Sequence, residues 1–253
     1  MAKDIDQMIY LKDYTPPAYL IDKTELTFHL DPIKTRVISR IAFRPNPDAK
    51  TNQFILDGAE MKLIWAKING APVSPNISDT HLDCIVPNAP FIWEAEVEIN
   101  PSANTALEGL YMSNGMYCTQ CEAEGFRKIT YYPDRPDVLA KFDVDIHGDH
   151  PVLLSNGNLI SSETGRAEWH DPWPKPAYLF ALVAGELFNH QDRFTTQSGR
   201  DVELNIWVRD GDQDKCEFGM QALKASMVWD ERVYGREYDL DVFNIVAVDD
   251  FNM

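Results

Sequence analysis

Residues 91–99 place apolar side chains at every odd position and glutamates at three of the four even positions. Successive side chains of a β-strand point to opposite faces, so this pattern predicts one buried face and one face in water. Only a sheet with one solvated face gives such alternation, and such sheets are mostly antiparallel. The segment therefore predicts a half-buried antiparallel strand. Its buried face contains Phe91, Trp93, Ala95, Val97 and Ile99, and its solvated face contains Glu94, Glu96 and Glu98.

Similar patterning extends over most of the first 186 residues. Thr24, Leu26 and Phe28 share one parity with Leu20, and Val37–Phe43 predicts a return strand after Asp31-Pro32. Asn69-Gly70 and Asn156-Gly157 lie between apolar runs, and Asn-Gly favours the tight turns of β-hairpins. Residues 1–186 are therefore predicted to form a large, mainly antiparallel β domain.

The pattern changes after Gly185. A hairpin around Ser198-Gly199 is predicted to precede a helix over Cys216–Tyr234, capped by Asp214 and ended by Gly235. An apolar run, Val242–Val248, follows and predicts a strand that is covered on both faces. Because a buried strand rarely ends a domain, residues 187–253 are expected to be the incomplete start of a second domain. One helical face is predicted to contain Phe218, Ala222, Ala225, Trp229 and Val233.

Charge and composition exclude several classes of protein. The chain has 253 residues, and 23 Lys and Arg against 40 Asp and Glu give a net charge of −17. Such an acidic chain without a basic tract is not expected to bind nucleic acid or an anionic membrane. Its apolar runs are far shorter than a transmembrane helix requires, and its first residues do not resemble a secretory signal. A cytoplasmic protein is predicted.

Two short motifs could together provide metal ligands. Cys118 and Cys121 form a C-x-x-C, and His147 and His150 an H-x-x-H about 25 residues later. Tetrahedral zinc commonly takes two ligands from each of two short segments. A redox dithiol is a second interpretation of the cysteines, although no strand–helix context follows them. Two free thiols in an ordered loop are the simplest interpretation.

No complete catalytic set is present in the sequence. It contains no H-E-x-x-H, no G-x-S-x-G, no phosphate-binding loop and no G-x-G-x-x-G. Carboxylates are abundant, but spacing alone pairs no two of them for acid–base catalysis. No catalytic residue and no metal ligand is therefore predicted in this chain.

Eight segments have a sequence specific enough to suggest a family. They are 104–111, 118–127, 129–137, 154–157, 171–176, 178–185, 224–230 and 245–253. These segments resemble the N-terminal portion of the bacterial aminopeptidase N family, whose members are zinc-dependent gluzincin aminopeptidases. The resemblance covers the whole chain and is weakest before about residue 100. It implies a saddle-like β-sandwich domain followed by the start of a thermolysin-like α+β domain.

The resemblance also implies a function and a set of site residues. In this family Gln120 and Glu122 match residues that contact the substrate α-amino group, and Met253 matches a residue lining the first side-chain pocket. The segment matching 251–253 continues in the family into the G-A-M-E-N motif and, further on, the zinc ligands. Zinc is thus expected in the full-length parent and not in this fragment, which would be inactive alone. Peptides with a free N-terminus are the implied substrates.

Some interpretations remain open at this stage. Ion pairs that hold the loop are expected among Glu124, Arg127, Asp134, Arg135 and Asp137. The fragment is expected to contact the remainder of its own catalytic domain, or to associate with itself through uncovered apolar residues. A non-enzymatic β-sandwich that binds a partner or a small structural zinc site is the alternative function, and a family member acting only as a scaffold is a third.

Overall fold

A computed structural model describes residues 10–251, and these residues form eighteen strands, one α-helix and five short 3-10 helices. The strands are β1 (Tyr19–His29), β2 (Thr35–Pro45), β3 (Phe54–Asp57), β4 (Lys62–Ile68), β5 (Ala71–Val73), β6 (Asn76–Ile77), β7 (His81–Cys84), β8 (Phe91–Ile99), β9 (Gly109–Ser113), β10 (Met116–Gln120), β11 (Leu139–His147), β12 (Val152–Ser155), β13 (Asn158–Glu163), β14 (Arg166–Pro176), β15 (Leu182–Gly185), β16 (Phe188–Thr195), β17 (Asp201–Val208) and β18 (Val242–Val246). The α-helix, α1, is Glu217–Tyr234, and the 3-10 helices are Leu11–Asp13, Pro101–Ala103, Phe126–Lys128, Ala177–Leu179 and Gln213–Lys215.

The described strands form four sheets, so the predicted mainly β class is confirmed. The largest sheet has the order β13-β14-β11-β1-β2-β8-β4-β5, and a four-stranded sheet has the order β12-β15-β10-β9. The other two are β3-β7-β6 and β16-β17-β18. All neighbours in the large sheet are antiparallel except β1 and β11, which pair in parallel from Lys23↔Lys141 to His29↔His147. Local alternation predicts strands but not this long-range pairing.

The alternating segments follow the predicted pattern except at Leu20. Strand β8 spans Phe91–Ile99, with its five odd positions buried and its glutamates half-buried on the other face. In β1, Thr24, Leu26 and Phe28 are buried, but Leu20 is not, because a bulge between Ile21 and Lys23 shifts the register. One extra residue moves the following side chains to the opposite face. Tyr19 and Ile21 therefore fill the core before the bulge.

One of the two predicted Asn-Gly hairpins is wrong. Asn69 and Gly70 have φ of 50° and 78° and connect the paired strands β4 and β5, as predicted. Asn156-Gly157 instead lies between β12 and β13, which belong to different sheets. Its Asn156 side chain binds the Ala181 N–H at 2.7 Å and the Leu179 carbonyl at 3.1 Å. The same dipeptide thus redirects the chain between sheets, because its partners are distant in sequence.

The helix is where it was predicted, but its buried face is not. Helix α1 packs Met220 and Met227 against the β16-β17-β18 sheet, whereas Phe218 is 85% exposed and Trp229 is 45% exposed. The predicted face therefore points outward. Asp214 does not cap the helix, because a 3-10 turn at Gln213–Lys215 precedes it and Cys216 is the N-cap residue, whose side chain makes no capping hydrogen bond. Gly235 ends the helix in the left-handed conformation, as predicted.

The last strand also differs from its prediction. Strand β18 pairs in parallel with β17 and lies at the edge of its sheet. Its residues are half-buried, and Ile245 is exposed. The side chains of this strand are therefore only partly covered in the described structure, whereas the sequence predicts cover on both faces. Within residues 10–251, no helix combines the length and the apolar character needed to cross a membrane.

The main core lies between the large sheet and the four-stranded sheet. Phe28 stacks on Phe180 with ring centroids 5.9 Å apart, and Phe126 packs edge-on against Tyr132 at 4.9 Å and Phe180 at 5.3 Å. Phe126 directly follows the turn after β10, so the core anchors that turn. A second apolar cluster contains Val202, Leu204 and Met220 and joins α1 to β17.

The turn after β10 can be tested with two glycine substitutions. A Cβ at Gly125 would lie 2.4 Å from the Gln120 carbonyl oxygen, and this backbone atom cannot move away alone. We expect Gly125→Ala to lower the free energy of unfolding by more than about 2 kcal/mol, as for an overpacked site. Gly70→Ala has open space around it and only a positive φ of 78°, so it should cost about 1 kcal/mol. Equal effects in urea unfolding would contradict this account of the turn.

The polar face of the large sheet makes stability depend on pH. Partial burial raises the pKa of Asp143, but hydrogen bonds from Lys23 and His170 outweigh it and hold that pKa below its usual range. The pKa of Asp145 is likewise lowered, against burial, by Arg166 and His147. A lowered pKa contributes stability above the unfolded value of about 4, and this is lost as pH falls through the folded value. Urea unfolding between pH 6 and pH 2 should show this loss, and Asp143→Asn should reduce it. If Asp143→Asn leaves the dependence of the unfolding free energy on pH unchanged, Asp143 does not contribute to it as proposed here.

Candidate functional site

Strand β10 ends at Gln120 and leads into the turn that carries Glu122, and these are the two central residues of the candidate site. It lies between β9 and β15, and all five of its residues are buried. Thr119 fixes it to the neighbouring strand, because its hydroxyl donates to the Leu182 carbonyl at 3.1 Å and accepts from the Leu182 N–H at 2.7 Å. Gln120 ends the strand opposite Gly109 and is 5% exposed. The Gln120 side chain is therefore held by burial at the end of a strand that Thr119 anchors.

A tight turn follows and exposes Glu122. The Gly125 N–H donates to the Cys121 carbonyl at 2.9 Å, which closes residues 121–125 into one turn. The backbone N–H of Glu122 donates to Gln120 Oε1 at 3.1 Å, and the Glu122–Ala123 peptide bond is cis. Residues 122–124 are exposed, whereas Cys121 and Gly125 are buried. The backbone is thus anchored on both sides of a carboxylate that reaches solvent.

Ion pairs support the turn from behind, as the sequence predicts. Arg127 pairs with Glu124 at 3.2 Å and with Asp134 at 3.1 Å, and its backbone N–H also donates to Asp134. The Asp134 N–H in turn donates to Asp57 Oδ2 at 3.0 Å. Burial raises the pKa of Asp134, against the hydrogen bonds from Arg127 that lower it. These contacts join the turn to the large β domain.

The remaining predicted ion pair is further away. Arg135 pairs with Asp137 at 2.7 Å and donates to the Thr15 carbonyl at 2.8 Å. Tyr14 also donates to Asp137 at 2.9 Å. This pair therefore fixes the N-terminal segment of the described chain rather than the turn itself.

The arrangement at Gln120 and Glu122 suits a cationic ligand. An ionised carboxylate gives charge-assisted hydrogen bonds that are about twice as strong as neutral ones. The side-chain carbonyl oxygen of Gln120 is a neutral acceptor, and it accepts a hydrogen bond from the Glu122 N–H. A carboxylate and an amide carbonyl on adjacent backbone can together accept hydrogen bonds from an ammonium group. The third predicted residue, Met253, lies outside the described residues.

The cysteines and histidines do not assemble into a ligand set. Cys118 and Cys121 are buried, and burial raises the pKa of the Cys118 thiol to about 11 and that of Cys121 well above its usual value. His147 instead pairs with Asp145 at 3.1 Å, and His150 packs against Tyr117. Within residues 10–251, no three or more His, Cys, Asp or Glu side chains are grouped to hold a metal ion.

The structure adds contacts that the sequence analysis missed. Tyr111 and Ser113 of β9 bind Asp250, and Arg209, just after β17, pairs with Asp249. These residues bring the end of the described chain against the hairpin that holds Gln120. Two adjacent acids after an apolar strand were the only local signal, and nothing in the sequence pairs them with residues about 137 positions earlier.

Comparison with known proteins finds the family resemblance of the sequence analysis along almost the whole chain. The model of the peptidase M1 N-terminal domain family matches residues 16–179. Aminopeptidase N of Caulobacter vibrioides is 47% identical over 100% of this chain and 30% of its own length. Aminopeptidase N of Escherichia coli is also 47% identical, over 98% of this chain and 29% of its own length. The chain thus spans about a third of the length of these relatives.

Solved structures agree with this relationship. Legionella pneumophila aminopeptidase A, solved with aspartic acid, superposes with a TM-score of 0.88 at 34% identity, over 95% of this chain and 30% of that one. Native yeast LTA4 hydrolase superposes with a TM-score of 0.76 over 92% of this chain and 38% of that one, at 16% identity, and so shares the fold. The resemblance predicted from the sequence is therefore confirmed, and the chain belongs to the peptidase M1 N-terminal domain family.

Proposed function

We propose that this chain is the N-terminal portion of a zinc-dependent aminopeptidase that removes N-terminal amino acids from peptides. Its part in the reaction is to hold the substrate's α-ammonium group with Glu122 and Gln120. The family membership and the identity to two bacterial aminopeptidases N support the activity of the parent protein. The chain itself contributes binding residues and no catalytic residue.

The observation that carries the proposal is the exposed residue Glu122, whose backbone N–H donates to the side-chain carbonyl of the buried Gln120. An exopeptidase must recognise a free N-terminus, and an α-amino group has a pKa of about 8, so it is mostly an ammonium at neutral pH. A fixed anion is the appropriate partner for that group. Gln120 adds a neutral acceptor, and its own position is set by burial rather than by the ligand.

Zinc chemistry would belong to the remainder of the parent. When bound, zinc activates a water molecule for attack on the peptide bond. The described residues offer no ligand set for it, since Cys118, Cys121, His147 and His150 have other surroundings. The zinc ligands are therefore assigned to the two thirds of the parent length that this chain does not span.

We also propose a domain boundary near residue 186. The buried residues of the main core end at Leu187, although Trp207, Val242, Val246 and Val248 pack against that core from outside it, and the family model ends at residue 179. Residues 187–251 build the β16-β17-β18 sheet and α1 around a second apolar cluster. The outward face of α1, with Phe218 and Trp229, is assigned as the surface that contacts the rest of the catalytic domain. In the isolated chain, self-association through this face stays a prediction.

The proposal predicts the effect of removing the carboxylate in the full-length enzyme. Glu122→Ala should lower kcat/KM for free-amine peptides about 30- to 1,000-fold, equivalent to about 2–4 kcal/mol, because it leaves a bound ammonium without its anion. Glu122→Gln should lose less, because it retains a hydrogen-bond acceptor. Gln120→Ala should also cost less than Glu122→Ala, because it removes a neutral group. Steady-state kinetics on an aminoacyl amide measures all three variants.

A glutamate on the polar face of the large sheet provides the control. Glu94 lies on β8, 4.0 Å from Arg40, and faces away from the core. Glu94→Ala should leave kcat/KM unchanged and shift the free energy of unfolding by less than about 0.5 kcal/mol. If Glu122→Ala behaves like Glu94→Ala, then Glu122 does not bind the amine and the proposed role is wrong.

A further inference from the structure

The segment after β18 is held from the side of β17. The Ala247 N–H donates to the Trp207 carbonyl at 2.9 Å, which continues the pairing between β17 and β18 beyond the last strand residue. Arg209, just after β17, then forms an ion pair with Asp249. The backbone of residues 247–249 therefore follows β17 closely instead of leaving the sheet.

The same segment is held from the other side by the β9–β10 hairpin. Tyr111 donates its hydroxyl proton to the Asp250 carbonyl at 2.7 Å, and Ser113 donates to Asp250 Oδ2 at 2.8 Å. The Asp250 N–H donates back to the Ser113 hydroxyl at 3.3 Å. Asn114, in the hairpin turn, donates to Asp249 Oδ2 at 3.3 Å. Two consecutive residues are thus fixed by three hairpin side chains and one guanidinium, which we call the clamp.

Arg209 is mostly buried where it meets this segment. Its side chain is 22% exposed, and its Nη2 is buried with no hydrogen-bond partner among the described residues. A mostly buried guanidinium has little freedom to move, so its ion pair with Asp249 is a specific long-range contact. Such a contact fixes the position of the segment relative to β17.

The clamp is built on the strand pair that carries the ammonium-binding residues. In the β9–β10 register, Tyr111 lies opposite Cys118 and Gly109 lies opposite Gln120. Gln120 is therefore two residues along the strand from the level of Tyr111, a distance of about 7 Å. Tyr111 and Ser113 lie on β9, which is hydrogen-bonded to β10. Because β10 is buried throughout, a displacement of Tyr111 or Ser113 is expected to displace Gln120 as well.

We propose that Tyr111, Ser113 and Arg209 are positioning residues that fix the distance between Glu122 and the reacting centre of the parent enzyme. This inference rests on the proposed function, in which the peptide-cleaving groups belong to the part of the parent beyond this chain. The clamp joins the segment leading to that part directly to the hairpin that binds the ammonium. None of the three residues contacts the substrate in this assignment. They act through Glu122 and Gln120.

The test uses kinetics of the full-length enzyme with a free-amine aminoacyl amide. Ser113→Ala and Arg209→Gln should each lower kcat by about 10- to 100-fold, because an error of about 1 Å in alignment can cost about that much. KM should change less than about threefold, since the ammonium-binding groups remain in place. Lys224→Gln is the matched control, because it breaks the ion pair between α1 and Asp192 without touching the hairpin. It should leave both parameters unchanged.

A double-mutant cycle separates positioning from a merely structural role. If the clamp acts through the ammonium contact, Ser113→Ala should lower kcat/KM by less than about threefold in a Glu122→Gln background. A general loss of structure would instead reduce kcat/KM by the same factor in both backgrounds. Thermal unfolding of each variant provides an independent check that Ser113→Ala remains folded.

The results separate the positioning role of the clamp from the proposed aminopeptidase function of the parent enzyme. A wild-type enzyme without aminopeptidase activity, or one indifferent to Glu122→Gln, would overturn the proposed function and the inference together. An active enzyme that responds to Glu122→Gln but shows additive effects of Ser113→Ala would overturn the inference alone. The same holds if Ser113→Ala and Arg209→Gln behave like Lys224→Gln. A large loss of kcat in Ser113→Ala that disappears in the Glu122→Gln background supports the positioning role of the clamp.

Discussion

Strand β10 has hydrogen-bonded neighbours on both edges and buried residues at all five of its positions. Because buried backbone groups must be paired, this strand cannot shift by a fraction of a residue without losing several bonds at once. The chain then turns back so tightly that Gly125 approaches the Gln120 carbonyl too closely for any larger residue. These two constraints place Gln120 and Glu122, and Phe126 fixes the turn to the aromatic core.

Charged side chains have different roles on the polar face of the large sheet, behind the turn after β10 and at the tip of that turn. On the large sheet, carboxylates such as Asp143 and Asp145 are paired with Lys, Arg and His side chains and are structural. Behind the turn, Asp134 is buried and is held by Arg127. Glu122 lies at the exposed tip of the turn with its backbone N–H held by Gln120. In a chain with 40 acids, the ammonium-binding role proposed for Glu122 rests on this fixed backbone beneath an exposed side chain.

Local patterns predicted the elements well and their partners poorly. The alternation in β8 gave its two faces, and Ser198-Gly199 gave the hairpin of β16 and β17, because both depend on neighbouring residues. The Asn156-Gly157 turn and the parallel pairing of β1 with β11 depend on residues far away in sequence, which no local pattern encodes. The helix face was wrong because α1 has apolar residues on two sides, and the Met220 and Met227 side packs on the sheet.

The candidate site was predictable only in part for the same reason. Gln120 and Glu122 were found through their resemblance to a known motif, and spacing alone would not have separated them from other polar residues. The contacts of Ser113 and Tyr111 with Asp250 required the folded chain, since 137 residues or more separate the partners. A single sequence contains no signal for such a pair.

The most direct test of the central claim varies the charge on both sides of the proposed contact. The full-length enzyme should be given two substrates that differ only in an α-amino or an α-hydroxyl group, with wild-type protein and with Glu122→Gln. If Glu122 binds the ammonium, the wild-type enzyme should favour the amine by at least about 100-fold in kcat/KM, and Glu122→Gln should reduce that preference at least about tenfold. A preference that is the same in both proteins would show that the ammonium is recognised elsewhere and would contradict the account.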